Sequence, residues 1–185
     1  AEVDGLKALE ECSALRTPEI LCYGKTDTIS YLFLEWLDLR PSSAAVETDL
    51  GYSLAQQHRA TSTSFGWSRN NFIGATDQSN GPHDHWTTFW RERRLRFQLD
   101  LATGNGLPIA YREVCTAVLA RIETFFGEED ISPSLLHGDL WSGNWGALAT
   151  GVSCVFDPAV YCGDRETDLA MTRLFGGVGQ AFYDA

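Results

Sequence analysis

The chain has 185 residues, 44% hydrophobic and 12% aromatic, which is enough apolar material for one packed domain, or one domain and part of another. A formal net charge of -11 excludes partners that need clustered Lys and Arg, so no nucleic acid and no anionic membrane is expected, and no stretch approaches the ~20 consecutive apolar residues of a membrane span. The five cysteines (Cys12, Cys22, Cys115, Cys154 and Cys162) are odd in number and lack C-x-x-C or Cys/His ligand spacing, which reads as reduced thiols in a cytoplasmic-type compartment.

The chain opens without an initiator Met, inside a helical pattern, and ends abruptly at Ala185, so it reads as a piece of a longer protein. Over residues 2–15 the apolar Val3, Leu6, Leu9 and Leu15 recur among charges, predicting an amphipathic helix stopped by Thr17-Pro18. Two β-like runs follow, 19–23 and 30–34, joined by the polar turn Gly24-Lys25-Thr26-Asp27. Pro41-Ser42-Ser43 supplies a capping hydroxyl for a helix in which Val46, Leu50, Leu54 and His58 are spaced by four. That helix should bury one stripe, with His58 a satisfied core or helix-end imidazole.

Residues 61–84 are polar but contain Phe65, Trp67, Phe72 and Ile73, which predicts a loop packed onto the body. A helix over 84–101 sets Trp86, Phe89, Trp90, Leu95, Phe97 and Leu101 beside Arg91, Arg93, Arg94 and Arg96. This basic run is expected to face solvent or to pair with neighbouring carboxylates. A further helix over 109–126 places Val114, Val118 and Ile122 on one stripe and stops at Gly127. Short strands are expected at 133–136 and 152–156, and a last helix between Glu166 and Phe175.

Residues 136–157, LHGDLWSGNWGALATGVSCVFD, carry the densest chemistry. His137, Asp139 and Asn144 fall at the spacing of the kinase catalytic loop H-R-D-L-x-x-x-N, and Asp157 ends an apolar run shortly afterwards. Singly, Asp139 reads as a turn or cap residue, Asn144 beside Gly143 as a left-handed turn, and Asp157 before Pro158 as a turn start. Together they offer what phosphoryl transfer needs: one carboxylate to orient a hydroxyl and hard oxygen ligands for magnesium. A strand-loop-strand hairpin from 133–136 to 152–156 would bring Asn144 and Asp157 to one magnesium, with Asp139 facing the hydroxyl.

HGDLWSGN, followed by FDPAVYCGDRETDLAMTRLFGG, closely resembles the fructosamine kinases, also called ketosamine-3-kinases. That family sits in the aminoglycoside phosphotransferase and choline kinase branch of the kinase-like fold. The resemblance covers nearly the whole chain through AEVDGLKAL, YLFLEWL, AQQHRAT, NNFIGATDQSNG and WTTFWRERRL, and Trp141 and the NFIG segment set it apart from generic aminoglycoside kinases. It implies an α+β, protein-kinase-like fold, with an N-lobe remnant over 1–37 and a mostly helical C-lobe over 38–185 that carries the catalytic-loop hairpin.

The same resemblance implies ATP and Mg2+ as cofactors, Asp139 as catalytic base, and Asn144 and Asp157 as metal ligands. The backbone of Glu35, Trp36 and Leu37 becomes the hinge against adenine. Glu2 becomes the acid that pairs with the nucleotide-binding lysine, or else an exposed carboxylate at a helix start. Trp141 stands against the sugar, or else fills the core. His137 and Asp168 support the catalytic loop. The implied acceptor is the C3 hydroxyl of a ketosamine, either a small molecule or a glycated protein lysine.

The departure from the family is that no Gly-rich loop and no lysine-bearing strand precede Glu2, and neither Lys7 nor Lys25 replaces that lysine. The parent protein is therefore expected to be active and this stretch weak or inactive. Two other readings stay open: an aminoglycoside- or choline-type small-alcohol kinase, separable by acceptor preference, and a pseudokinase or binding fragment.

Overall fold

The computed structural model describes residues 1–126 and 130–185. Helix α1 (Glu2–Cys12) buries Leu6 and Leu9 and ends earlier than its periodicity predicts, because Ser13 enters the left-handed region at φ 55° and donates its N–H to Glu10 O. Strands β1 (Ile20–Lys25) and β2 (Ser30–Leu34) form an antiparallel hairpin with a bulge at Ile20/Cys22. Thr26 closes its turn through N–H to Ile29 O, while its Oγ1 accepts from Thr28 and Ile29.

A two-residue strand, β3 (Leu39–Arg40), leads into α2 (Ala44–Gln57), capped by Ser43 Oγ accepting from Val46 N–H. The predicted stripe of α2 is buried, and Leu50 and Leu54 are each worth roughly 1.5–3 kcal/mol by apolar burial. His58, just past the helix end, is also buried. The polar segment after it packs down as expected and contains a small hairpin, β4 (Asn71–Ile73) with β5 (Thr76–Gln78), which periodicity does not reveal.

Helix α3 (Trp86–Phe89) runs through a π-helical segment (Trp90–Leu95) into α4 (Arg96–Gly104), with Arg96 N–H donating five residues back to Arg91 O. The helix expected over 109–126 divides into α5 (Ile109–Leu119) and a 3-10 turn (Ile122–Phe125). Its stripe is only partly buried: Ile122 is inside, but Val114 and Val118 are 63% and 42% exposed, because α5 packs chiefly on α4. The stop at Gly127 lies outside the described residues.

The remaining strands are β6 (Ser134–Leu136), β7 (Trp145–Leu148), β8 (Ser153–Val155) and β9 (Tyr161–Gly163), followed by α6 (Glu166–Leu174) and α7 (Gln180–Tyr183). The hairpin that delivers Asp157 is β7–β8, extended by β3 into a three-stranded antiparallel sheet. The pairing expected between 133–136 and 152–156 does not form; β6 pairs instead with β9. Gly138, at φ 83°, turns the chain away after β6, and a Cβ there would overlap the Ala159 carbonyl, so only glycine permits the crossing.

Two apolar clusters hold these layers together. The larger joins Leu9 and Leu15 to the α2 stripe and to Leu140, Trp145, Val155 and Phe182; the smaller is aromatic, with Phe65, Trp86, Phe89 and Tyr161 around Leu136. Among the described residues all five cysteines are free, and no helix is long and apolar enough to cross a membrane.

Candidate active site

The loop between β6 and β7 is organised by a carboxylate that never reaches solvent. Asp168, in the first turn of α6, is fully buried and accepts from three donors: His137 N–H and Gly138 N–H, each at 2.9 Å, and His58 Nε2 at 2.9 Å. Burial alone pushes its pKa up, but the hydrogen bond and charge of His58 and the Gly138 N–H outweigh it, so the carboxyl sits below the ordinary range. His58 is therefore the satisfied buried imidazole expected, and Asp168 the brace of the loop.

His137 is also fully buried, and burial lowers its pKa. Its Nε2–H donates to Phe156 O at 3.1 Å, and its Nδ1 accepts the Asp139 N–H at 3.3 Å, which fixes one neutral tautomer. The imidazole thus ties the segment before Asp157 to the backbone of Asp139.

Asp139 and Asn144 meet directly. Asn144 Nδ2 donates to Asp139 O at 2.9 Å, to Asp139 Oδ2 at 3.1 Å and to Asp157 O at 3.5 Å, so its Oδ1 is left as an acceptor. Burial pushes the Asp139 carboxyl above the usual carboxylate range; the Asn144 hydrogen bond opposes this, and the charges of Asp157 and Asp168 add to it. Asp157 holds φ 53°, a left-handed conformation that Asp tolerates better than most side chains, and its carboxylate is exposed.

All three line one cleft of about 520 Å³, together with Glu2, Phe72 and Trp141. Glu2 faces Asp157, and burial followed by the Asp157 charge and hydrogen bond raises its pKa. Among the described residues no three His, Cys, Asp or Glu side chains cluster as a metal site. The donor set nonetheless suits a hard cation that takes most of its oxygens from phosphate and water. Asn144 Oδ1 and the Asp157 carboxylate are oxygen ligands, and the crowding of Glu2 and Asp157 is what a cation would relieve.

The expected hinge residues lie elsewhere along the chain. The Glu35 carboxylate is engaged by Arg16 Nη2 at 2.7 Å and by Glu19 N–H at 3.0 Å, and its own N–H donates to Glu19 O. Trp36 is 90% exposed, and Leu37 is partly buried. None of the three lines the cleft that holds Asp139. Trp141 is 39% exposed, with its ring edge-on to Phe175 at 6.1 Å, so it is a cleft wall and not a core residue.

Sequence reasoning missed a second support. Asn71 Nδ2 donates to Val160 O at 2.8 Å and Gln78 Nε2 to Ala159 O at 3.0 Å, while Asn71 Oδ1 accepts from both Gln78 and Asn80. Arg94, expected among solvated or carboxylate-paired arginines, instead donates to Asn80 Oδ1 at 2.7 Å and Ser79 O at 2.8 Å. Its guanidinium lies over the rings of Phe89 and Tyr161. The amides of NNFIGATDQSN were the available signal, since buried Asn and Gln side chains need partners. Arg91 and Arg96 do pair with carboxylates, those of Glu92 and Glu123.

A family model described as Fructosamine kinase matches residues 1–185. The chain is 42% identical to "Probable ketoamine kinase slr1563" of Synechocystis sp., over 99% of this chain and 61% of that protein. It is 36% identical to the "Probable ketoamine kinase" of Vibrio cholerae, over 99% and 63%. It also superposes on the crystal structure of a "Putative fructosamine-3-kinase" from Thermobifida fusca YX-ER1 with a TM-score of 0.88 at 32% identity, covering 99% of this chain and 62% of that one. The chain thus spans somewhat over three fifths of the length of the proteins it matches.

Proposed function

We propose, for a chain that belongs to the fructosamine kinase family and has its kinase-like α+β fold, ATP-dependent transfer of a phosphoryl group to a sugar hydroxyl of a ketosamine. The observation that carries this reading is the convergence of Asp139, Asn144 and Asp157 on one cleft, with Asn144 hydrogen-bonded to both acids' segments. Asp139, raised above the ordinary carboxylate range, is the base that accepts the acceptor hydroxyl proton. Asn144 holds Asp139 Oδ2 and leaves Oδ1 for that proton. The neutral His137 and the buried Asp168 keep the loop from turning as the proton arrives.

Asn144 Oδ1 and Asp157 would hold Mg2+, which when bound neutralises charge on the transferring phosphate. Glu2 stands beside Asp157 on the nucleotide side, where a lysine or a cation would offset the pair. The strand end at Glu35, Trp36 and Leu37 is the proposed adenine hinge, with residues 1–37 serving the nucleotide and 38–185 the acceptor and the chemistry. Trp141 contributes an aromatic wall to the acceptor side. Glycated protein lysine is the finer acceptor within this class.

The test is phosphate transfer from ATP to fructosyl-lysine by the full-length parent protein, compared with its Asp139→Ala variant. Loss of a proton acceptor should lower kcat by about 10²–10⁴ with little change in the KM for ATP. Equal turnover by the two proteins would sink the assignment of Asp139, and preference for choline or an aminoglycoside over fructosyl-lysine would sink the ketosamine.

A further inference from the structure

Phe72 is a large apolar side chain left 52% exposed on the cleft that holds Asp139 and Trp141, and the kinase chemistry gives it no task. Its placement is fixed by its neighbours. In the pleat of β4 its neighbour Asn71 points the other way, into the body, where it holds Val160 O. Across the hairpin, Gln78 holds Ala159 O, two residues beyond Asp157. Arg94 ties Asn80 to the same set. Gly74, at φ 55°, closes the two-residue turn and also lines the cleft.

Trp141 is fixed independently. Its ring lies edge-on to Phe175, and it packs so closely on Gly143 that a Cβ there would overlap the indole. Two aromatic faces, one on the β4–β5 hairpin and one on the β6–β7 loop, therefore stand in a cleft whose charged side chains are the acids Glu2, Asp139 and Asp157. Aromatic faces beside carboxylates favour a ligand that carries both an apolar C–H surface and a positive charge.

Resting on the kinase reading, we propose that the β4–β5 hairpin is an acceptor-specificity element. Phe72, together with Trp141, contacts a polyhydroxylated alkylammonium and discriminates it from a neutral sugar of the same shape. The secondary amine of a ketosamine is protonated near neutral pH and meets this description.

The full-length parent protein, as wild type and as Phe72→Ala and Phe72→Tyr, is compared on fructosyl-lysine and on the matched neutral O-linked ether of the sugar, each with saturating ATP. Phe72→Ala should raise the KM for the ammonium acceptor about tenfold and narrow its advantage over the ether. Its kcat and its KM for ATP should stay within about twofold, while Phe72→Tyr keeps wild-type selectivity. If the Ala variant melts early, Phe72→Leu must show the same shift in acceptor KM in a protein of wild-type thermal midpoint, and its failure to do so overturns the proposal. An unchanged acceptor KM in Phe72→Ala, with wild type active and Asp139→Ala dead, overturns the role of the hairpin and leaves the kinase reading standing. No transfer by wild type to either acceptor overturns both.

Discussion

Asp157 combines an exposed carboxylate with a left-handed backbone, and Asn tolerates that backbone equally well. In the full-length parent protein, Asp157→Asn should therefore keep the thermal midpoint of the wild type while losing magnesium-dependent turnover, checked by scanning calorimetry beside a metal titration of activity. Asp168 is the opposite case, since its oxygens accept three donors in the interior. Asp168→Asn replaces an acceptor with a donor and should cost about 3 kcal/mol or more of stability, read from denaturant unfolding. Acidification should act through His137 first. Its folded pKa is depressed, so the unfolded chain binds the proton first as pH falls through the ordinary histidine range near ~6.5, and stability drops at up to ~1.4 kcal/mol per pH unit. Asp168, also depressed, adds its loss only as pH falls below the ordinary aspartate value near ~3.9. His137→Gln should flatten the upper part of this slope in unfolding measured from pH 7 to pH 5.

At the level of elements, the most legible parts were those whose signal is local. Ser43 and the four-residue spacing from Val46 marked α2, and the Thr26 turn marked the first hairpin. The strands β4, β5 and β7 are three or four residues long, too short for alternation to stand out in polar or Gly-containing surroundings. The pairing of β6 with β9 is a tertiary choice, decided by Gly138 and by the groups that cover Leu135 and Leu136. The triad of Asp139, Asn144 and Asp157 was readable because its spacing is set by one loop and one hairpin. The network through Arg94, Asn80, Asn71 and Gln78 was not, because it joins residues whose contact depends on the π-helical segment. One residue less between Trp90 and Leu95 would restore ordinary winding and rotate the two halves of the helix by about 100° relative to each other, carrying the guanidinium away from Tyr161. Deletion of Glu92 should therefore lower the thermal midpoint well beyond Glu92→Ala.

Among the described residues, the apolar side chains left outside include Leu21, Tyr23 and Phe33 on the first hairpin and Ile109, Val114 and Val118 on α5. Exposed patches of this kind promote association, so the 185-residue chain should self-associate with concentration in sedimentation velocity, and Val114→Lys with Val118→Lys should weaken that. The two strand connections through the site have a different consequence. Residues 137–144 pass from the β6–β9 sheet to the β7–β8 sheet, and residues 156–160 pass back, so the proposed base and Asn144 lie on one crossing of a single seam and Asp157 on the other. Phe156 N–H to Asn144 O, Ala159 N–H to His137 O and the His137 ring to Phe156 O stitch one crossing to the other. Amide protons at His137, Gly138, Phe156 and Ala159 should therefore exchange with solvent at a common rate and respond together to Asp168→Asn, as one opening unit that takes the chemistry apart before the rest of the protein unfolds.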